Sequence, residues 1–501
     1  MAAAICGSPA QRGVQSSPKP TATGISIPAL IRRAESLSTN FSPSERVMAL
    51  YQCGGAEILY DRGRAETWLN QAFAMARSKL SPSHARSADE EGIVEAMAQV
   101  DLPRAVELFR EQDTPSWGTP EQMHEDIRAS AAVYLFPAIL SSHGGKTVAT
   151  IQSLSDWLGA TGEYPYRAIT SVITAIGAKH PNQARSLFAQ AITYAGQDPG
   201  FLSTPPEFVQ LLLKTQALVP SGLMGQGIDT ALTLIQWFRK HDPLPSVVQA
   251  ATPHGTAHLP SIADYLLYSL MPLVKEYDPE RVEGLRQQNP YLAGLPVISP
   301  GIQLHPAGAI LSRRNQSAAG LEFAREVQLG RLPSSARKRI LALTHQMTTP
   351  YGRAYALAVA AAAQGGNAAQ SESWLQQASK ELDDLPANDF HRRLQLATRL
   401  TRAYLDLGKP QKAHPLAEAA FALGVKAYDR DLDNHPGKAS YLVDGASGLR
   451  SLVVGVFQQA KDPQWMLNDI ENLNQPELET SLLLGVVMGL QENARSHSAV
   501  K

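Results

Sequence analysis

At 501 residues and 54.1 kDa the chain exceeds one compact domain, so two or three domains or one elongated repeat array are expected. Hydrophobic residues at 44% and charged residues at 18% exclude a disordered chain, and a net charge of −1 excludes a whole-protein electrostatic footprint for nucleic acid or anionic lipid. With only Cys6 and Cys53 present, a disulfide framework is excluded too.

Residues 1–25 read as a disordered tail, because Ser, Pro and Gly continue to Gly24. "MAAAICGSPAQRG" has neither a basic n-region nor an adequate apolar h-region, so a cytoplasmic location is the default. "AAAICGSPA" before Gln11 nevertheless has the small-residue look of a signal cleavage region. A start codon further upstream would make the protein periplasmic or secreted.

From residue 26 to 240 the pattern is helical. "SPSE" at 42–45, "TPEQ" at 119–122 and "TPPE" at 204–207 have capping-box spacing: a hydroxyl that accepts a backbone N–H, a proline where no N–H is needed, and an acid or amide that reaches back. Further along, "DPER" at 278–281 and "DPQW" at 462–465 supply Asp-Pro versions of the cap. Apolar residues recur three and four apart, as in Leu232, Ile235 and Phe238, or Leu396, Leu400 and Tyr404. No run alternates with period two between hairpin turns, so the chain reads as all-α. The longest apolar runs, "YALAVAAAA" at 355–363 and "LLLGVVMGL" at 482–490, fall well short of the roughly 20 residues of a membrane span.

Between His241 and Pro306 lie ten of the 34 prolines. Residues 241–310 therefore read as a Pro-rich irregular insert holding one or two helices, including "SIADYLLYSLMPLVKEY". A second helical segment, 311–495, follows. It opens on a basic cluster, Arg313, Arg314, Arg325, Arg331, Arg337, Lys338 and Arg339 against Glu322 and Glu326. Of these, Arg313, Arg314, Arg337, Lys338 and Arg339 are candidates for docking an acidic partner.

Helical phrases repeat. "ETWLNQAF" at 66–73 returns as "ESWLQQAS" at 372–379, and "AQVDLPRAVELFREQDTP" at 98–115 is echoed by "QQAKDPQWMLNDIENLNQP" at 458–476. In "LATRLTRAYLDLGKPQKAHPLAEAAFALG" at 396–424, Leu400, Tyr404, Gly408, Ala413 and Ala420 stand where the tetratricopeptide repeat carries its Leu, Tyr, Gly, Ala and Ala. Ala184, Phe188 and Ala191 match second-helix positions of that motif, Ala105 and Phe109 fewer of them, and Ala72 and Ala378 its last small position. The chain thus resembles degenerate bacterial helical-repeat proteins between tetratricopeptide and HEAT repeats in style. Departures are Ala397 and Ala417 at aromatic positions and Pro415 within the second helix. The resemblance implies an α-solenoid of antiparallel helical hairpins that binds a protein or peptide. Small residues at these positions let helices approach to about 8–10 Å, so Trp68 and Trp374 read as core wedges.

No catalytic or cofactor motif is complete. "HGGKT" at 143–147 has Leu140 where a phosphate loop needs its first glycine. His254 and His258 are four apart but sit among Pro253, Gly255 and Pro260, which predicts a loop and not a zinc-binding helix face. Asp429, Asp431 and Asp433 alternate like the first ligands of a calcium loop, yet Asn434 replaces the loop glycine and Ser440 its bidentate acid; an inter-helix loop is expected. "DGASG" at 444–448 is one residue short of a nucleophile elbow. No cofactor is expected. The primary expectation is a non-catalytic interaction scaffold. The alternatives are an α-helical enzyme with the Pro-rich insert as active-site loop, and a structural part of an envelope or secreted assembly.

Overall fold

The computed structural model describes residues 25–81, 83–112, 127–142, 147–197, 203–241, 248–252, 255–292, 294–295, 336–362, 368–435 and 444–499. The all-α expectation holds for these residues apart from one two-stranded hairpin. The first run of helices is α1 Ile27–Leu37, α2 Pro43–Glu57, α3 Arg62–Lys79, α4 His84–Val100, α5 Leu102–Glu111, α6 Ile127–Ser141, α7 Thr147–Gly159, α8 Tyr166–Ile176, α9 Pro181–Gln197, α10 Thr204–Thr215 and α11 Ser221–His241. The hairpin, β1 Val248–Thr252 and β2 Gly255–Leu259, precedes α12 Ile262–Tyr277 and α13 Arg281–Gln288. The second run is α14 Ala336–Gln346, α15 Pro350–Ala362, α16 Ala368–Asp383, α17 Phe390–Asp406, α18 Pro410–Asn434, α19 Asp444–Gln459, α20 Gln464–Glu471 and α21 Pro476–Ala499.

Local chemistry explains where several helices begin and end. Ser42 caps α2 by accepting the Glu45 N–H, and its hydroxyl donates to Glu45 Oε2 at 2.8 Å, so the two residues that "SPSE" pairs do meet at the helix start, through the hydroxyl. Asp61, Ser83, Asp101 and Ser261 each accept a backbone N–H three residues on. At 204–207 the outcome differs: Thr204 is the first helical residue, with Ser203 before it. "TPEQ" at 119–122 lies outside the described residues. The turn between α17 and α18 closes on Gly408 at φ +68°, where Gly408 N–H donates to Leu405 O and Lys409 N–H to Tyr404 O. The second of these bonds spans Gly408 and requires it to be left-handed, which glycine supplies without a Cβ clash. This is the hairpin over which the repeat resemblance was read.

The repeat positions are packing positions. Ala105, Phe109, Ala184, Phe188, Ala191, Leu400, Tyr404, Ala413, Ala420, Ala72, Ala378 and Trp374 are all buried. Trp68 is half-buried, and it touches both hydrophobic cores of the molecule. The first core draws on residues 47–292 and the second on 27–34, Cys53 and 343–490. Pro415 is carried inside α18 without ending it.

Consecutive helices pack in pairs, and helices two apart pack on each other in two runs: α2, α4, α6, α8, α10 and α12 in the first, α15, α17, α19 and α21 in the second. The runs are continuous in space because α21 packs on both α1 and α2. Polar contacts tie this junction. Arg33 pairs with Glu471 and Glu479, each at 2.7 Å, Arg450 Nη1 donates to Gln52 Oε1 at 2.7 Å, and Gln491 Nε2 donates to Ala56 O at 3.1 Å. Cys53 is buried there, and burial pushes its thiol up to about 12, which keeps it protonated and unreactive.

The Pro-rich segment departs from the irregular insert expected. Val248–Thr252 and Gly255–Leu259 pair antiparallel in register Val248 to Leu259, and α12 behind them is buried on every side from Ala263 to Val274. A helix apolar all round belongs in a core. α12 packs on α10 and α11 within the first core, and α1, counted by sequence with the N-terminal segment, packs within the second.

Candidate functional site

Of the residues singled out in sequence, Arg313 and Arg314 lie outside the described residues. Arg337, Lys338 and Arg339 fall on the first turn of α14, and His258 lies in β2 opposite Gln249 rather than in a loop. The predicted loop around Asp429, Asp431 and Asp433 is corrected outright: all three lie inside α18, which ends at Asn434. Residues two apart on a helix point about 200° apart, so three such carboxylates cannot converge on one ion. Asp429 and Asp433 are exposed and Asp431 is buried. Among the described residues no group of three or more His, Cys, Asp or Glu is placed to hold a metal.

Asp431 instead joins three helices. Its Oδ1 lies 2.9 Å from His391 Nε2 at the start of α17, and its Oδ2 accepts the Gly445 N–H at 2.9 Å at the start of α19. Gly445 is required by space, since a Cβ there would collide with the backbone of Tyr428. The three helix ends enclose a polar cavity of about 530 Å³ whose lining includes Asp389, Phe390, His391, Arg430, Asp431, Asn434, His435 and Asp444. Arg430 lies 5.7 Å over the Phe390 ring and donates to Asn388 O, while Asp389 caps α17. A histidine oriented by a carboxylate can serve as a proton acceptor through its other nitrogen, and His391 is 39% exposed. The described contacts of Asp431 tie three helix ends together as a polar clamp.

The second feature is a stripe on α17. Arg392, Gln395, Arg399 and Arg402 follow at i, i+3, i+7 and i+10, so they share one side of the helix. α15, α16, α18 and α19 all pack on α17, and of these α15 and α19 reach the stripe itself. Tyr351 and Tyr355 of α15 flank the stripe with ring centroids 6.0 Å apart. Tyr351 Oη donates to Gln395 Oε1 at 3.0 Å, and Arg392 lies over its ring at 5.9 Å. Arg399 lies 4.3 Å over Tyr355, the large hydrophobic side chain left exposed among the described residues.

Arg402 packs over Gly455, where any Cβ would collide with its side chain, and Nη2 donates to Ser451 O at 3.0 Å. Its Nε is buried with no hydrogen-bond partner. Burial foremost pulls the Arg402 guanidinium below the usual arginine range; Arg399 adds to this, and Glu492 and Asp406 oppose it. Arg392 pairs with Asp389 at 3.3 Å, whereas neither Arg399 nor Arg402 makes an ion pair among the described residues. Sequence reasoning passed over this stripe. Its arginine spacing was legible, but the tyrosines belong to another helix, and the basic cluster at 311–340 drew attention away.

No protein-family model matches the chain, and no curated protein matches it. No helix among the described residues is long and apolar enough to cross a membrane.

Proposed function

We propose that this protein is an α-solenoid of degenerate helical hairpins, between tetratricopeptide and HEAT repeats in style, acting as a non-catalytic scaffold for a protein or peptide partner. The observation that carries the reading is the packing of helices two apart, from α15 to α21 and onward through α2 to α12, with consecutive helices paired alongside. Such stacks have additive nearest-neighbour stability and extended surfaces that hold peptides or helices. Tyr and Arg, the residue types of the α17 stripe, are those that dominate binding energy at protein interfaces.

A second reading, an α-helical enzyme, is favoured by the hydrogen bond between His391 and Asp431 beside a polar cavity. Its location differs from the Pro-rich segment where an active-site loop was expected. Affinity purification of the tagged chain from its native cells, with mass spectrometry against an untagged control, separates the two. The scaffold reading expects a near-stoichiometric protein partner that His391→Ala still recovers. A chain recovered alone and monomeric speaks against it.

A further inference from the structure

We propose that the α17 stripe is the docking surface, and that its occupant is an acidic peptide segment in which Asp or Glu side chains flank an aromatic or aliphatic one. The inference deepens the scaffold reading and rests on it. Two features converge on this face. Arg399 and Arg402 lack carboxylate partners among the described residues, and Tyr355 stands exposed at 37% with Arg399 laid across it.

A guanidinium with an open fork binds a carboxylate bidentately, with two parallel N–H···O bonds. Desolvation makes that pairing stronger, because the field of a partly buried charge is less screened than that of one in bulk water. Arg399 is already ordered by stacking on Tyr355, so less side-chain freedom is lost on binding. Arg392 to Arg402 spans ten residues, about 15 Å of helix, which four or five extended peptide residues would cover. Asp406, the next residue of the stripe, and Glu492 of α21 both act electrostatically on Arg402. They bound the positive region, which suits discrete carboxylates better than a continuous polyphosphate.

The test uses the full-length chain and fluorescence anisotropy with a fluorescein-labelled decapeptide of alternating Glu and Leu. Its Lys-for-Glu counterpart is the control. The Glu peptide is expected to bind, to weaken with added salt, and to lose about tenfold or more in affinity with R399E/R402E. Tyr355→Ala is expected to weaken it as well, and the Lys peptide not to bind. Circular dichroism checks the fold. If the charge-reversed chain loses helicity, Arg399→Gln replaces it, since Arg399 makes its one described ring contact with Tyr355. No binding of the Glu peptide, equal binding of both peptides, or affinity unchanged in R399E/R402E or in Arg399→Gln would overturn the proposal. Failure of the scaffold reading has a different signature: arginine-dependent peptide binding in vitro with no partner recovered from cells.

Discussion

Arg128 and Arg399 are two of the arginines that lie over aromatic rings, and they are finished differently. Arg128 of α6 sits 4.8 Å over Trp157, and Glu163 fills its fork with contacts of 2.6 Å from both Nε and Nη2, while Nη2 also donates to Thr161 Oγ1 at 3.1 Å. Both Arg128 and Glu163 are buried. Arg399 of α17 sits 4.3 Å over Tyr355 and makes no ion pair among the described residues. The first is complete within the chain and fixes the turn after α7 against α6. The second has the same aromatic support and lacks the anion, which is the difference between a structural ion pair and half of an interface.

The sharpest way to break this comparison is to open the first site. Glu163→Ala strands a buried guanidinium and is expected to lose about 3–5 kcal/mol of stability in urea denaturation. The Arg399→Gln change in the second site removes a charge that no acid among the described residues pairs with, and its expected cost is within about 0.5 kcal/mol. Equal costs at the two sites would erase the distinction.

A smaller effect tests whether Asp431 is a clamp. Asp431→Ala leaves the Gly445 N–H and the His391 imidazole without their described partner, for an expected loss of about 1–3 kcal/mol. Asp429→Asn and Asp433→Asn, on the exposed side of the same helix, should stay within about 0.5 kcal/mol. Thermal melts of the three variants order them.

A pH effect probes a different part of the molecule. Burial first, and Glu90 second, push Asp89 up to about 7; burial does the same to Glu207 against the opposing pull of Arg167. An unfolded carboxyl titrates near pH 4, so between about pH 4 and 7 the folded chain holds more protons than the unfolded one. These two groups therefore make stability fall as pH rises through that window. Asp89→Asn should flatten the slope and raise the melting temperature at pH 8; a slope unchanged in that variant contradicts the assignment.

How much of this was legible in sequence follows from the range of each interaction. The capping box at Ser42, the small residues at Ala184 and Ala413, and the glycine turn at Gly408 are local patterns, and they stand where the spacing put them. The β-hairpin was missed because its alternation, Val248, Gln249 and Ala250 in β1 and Thr256, Ala257, His258 and Leu259 in β2, is only three or four residues long and lies among prolines. The packing of α1 on α21 joins residues more than 400 apart, for which periodicity holds no signal. The aspartates at 429–433 were read against a loop motif, although period two in a short polar run fits a helix end equally well. His391, which gives Asp431 its partner, is 40 residues away. For the α17 stripe, the helix was foreseen and its polar side was visible, but that Arg399 meets Tyr355 and Arg402 meets Gly455 depends on how α15 and α19 pack.

The most direct test is recovery of the partner by the tagged full-length chain, compared among wild type, R399E/R402E and Arg110→Glu. Arg110 is an exposed residue near the end of α5, remote from the stripe in sequence and in a different core. The partner recovered by wild type is expected to be lost with R399E/R402E and retained with Arg110→Glu. Retention of the partner by the folded R399E/R402E chain, or equal loss with both variants, would contradict it.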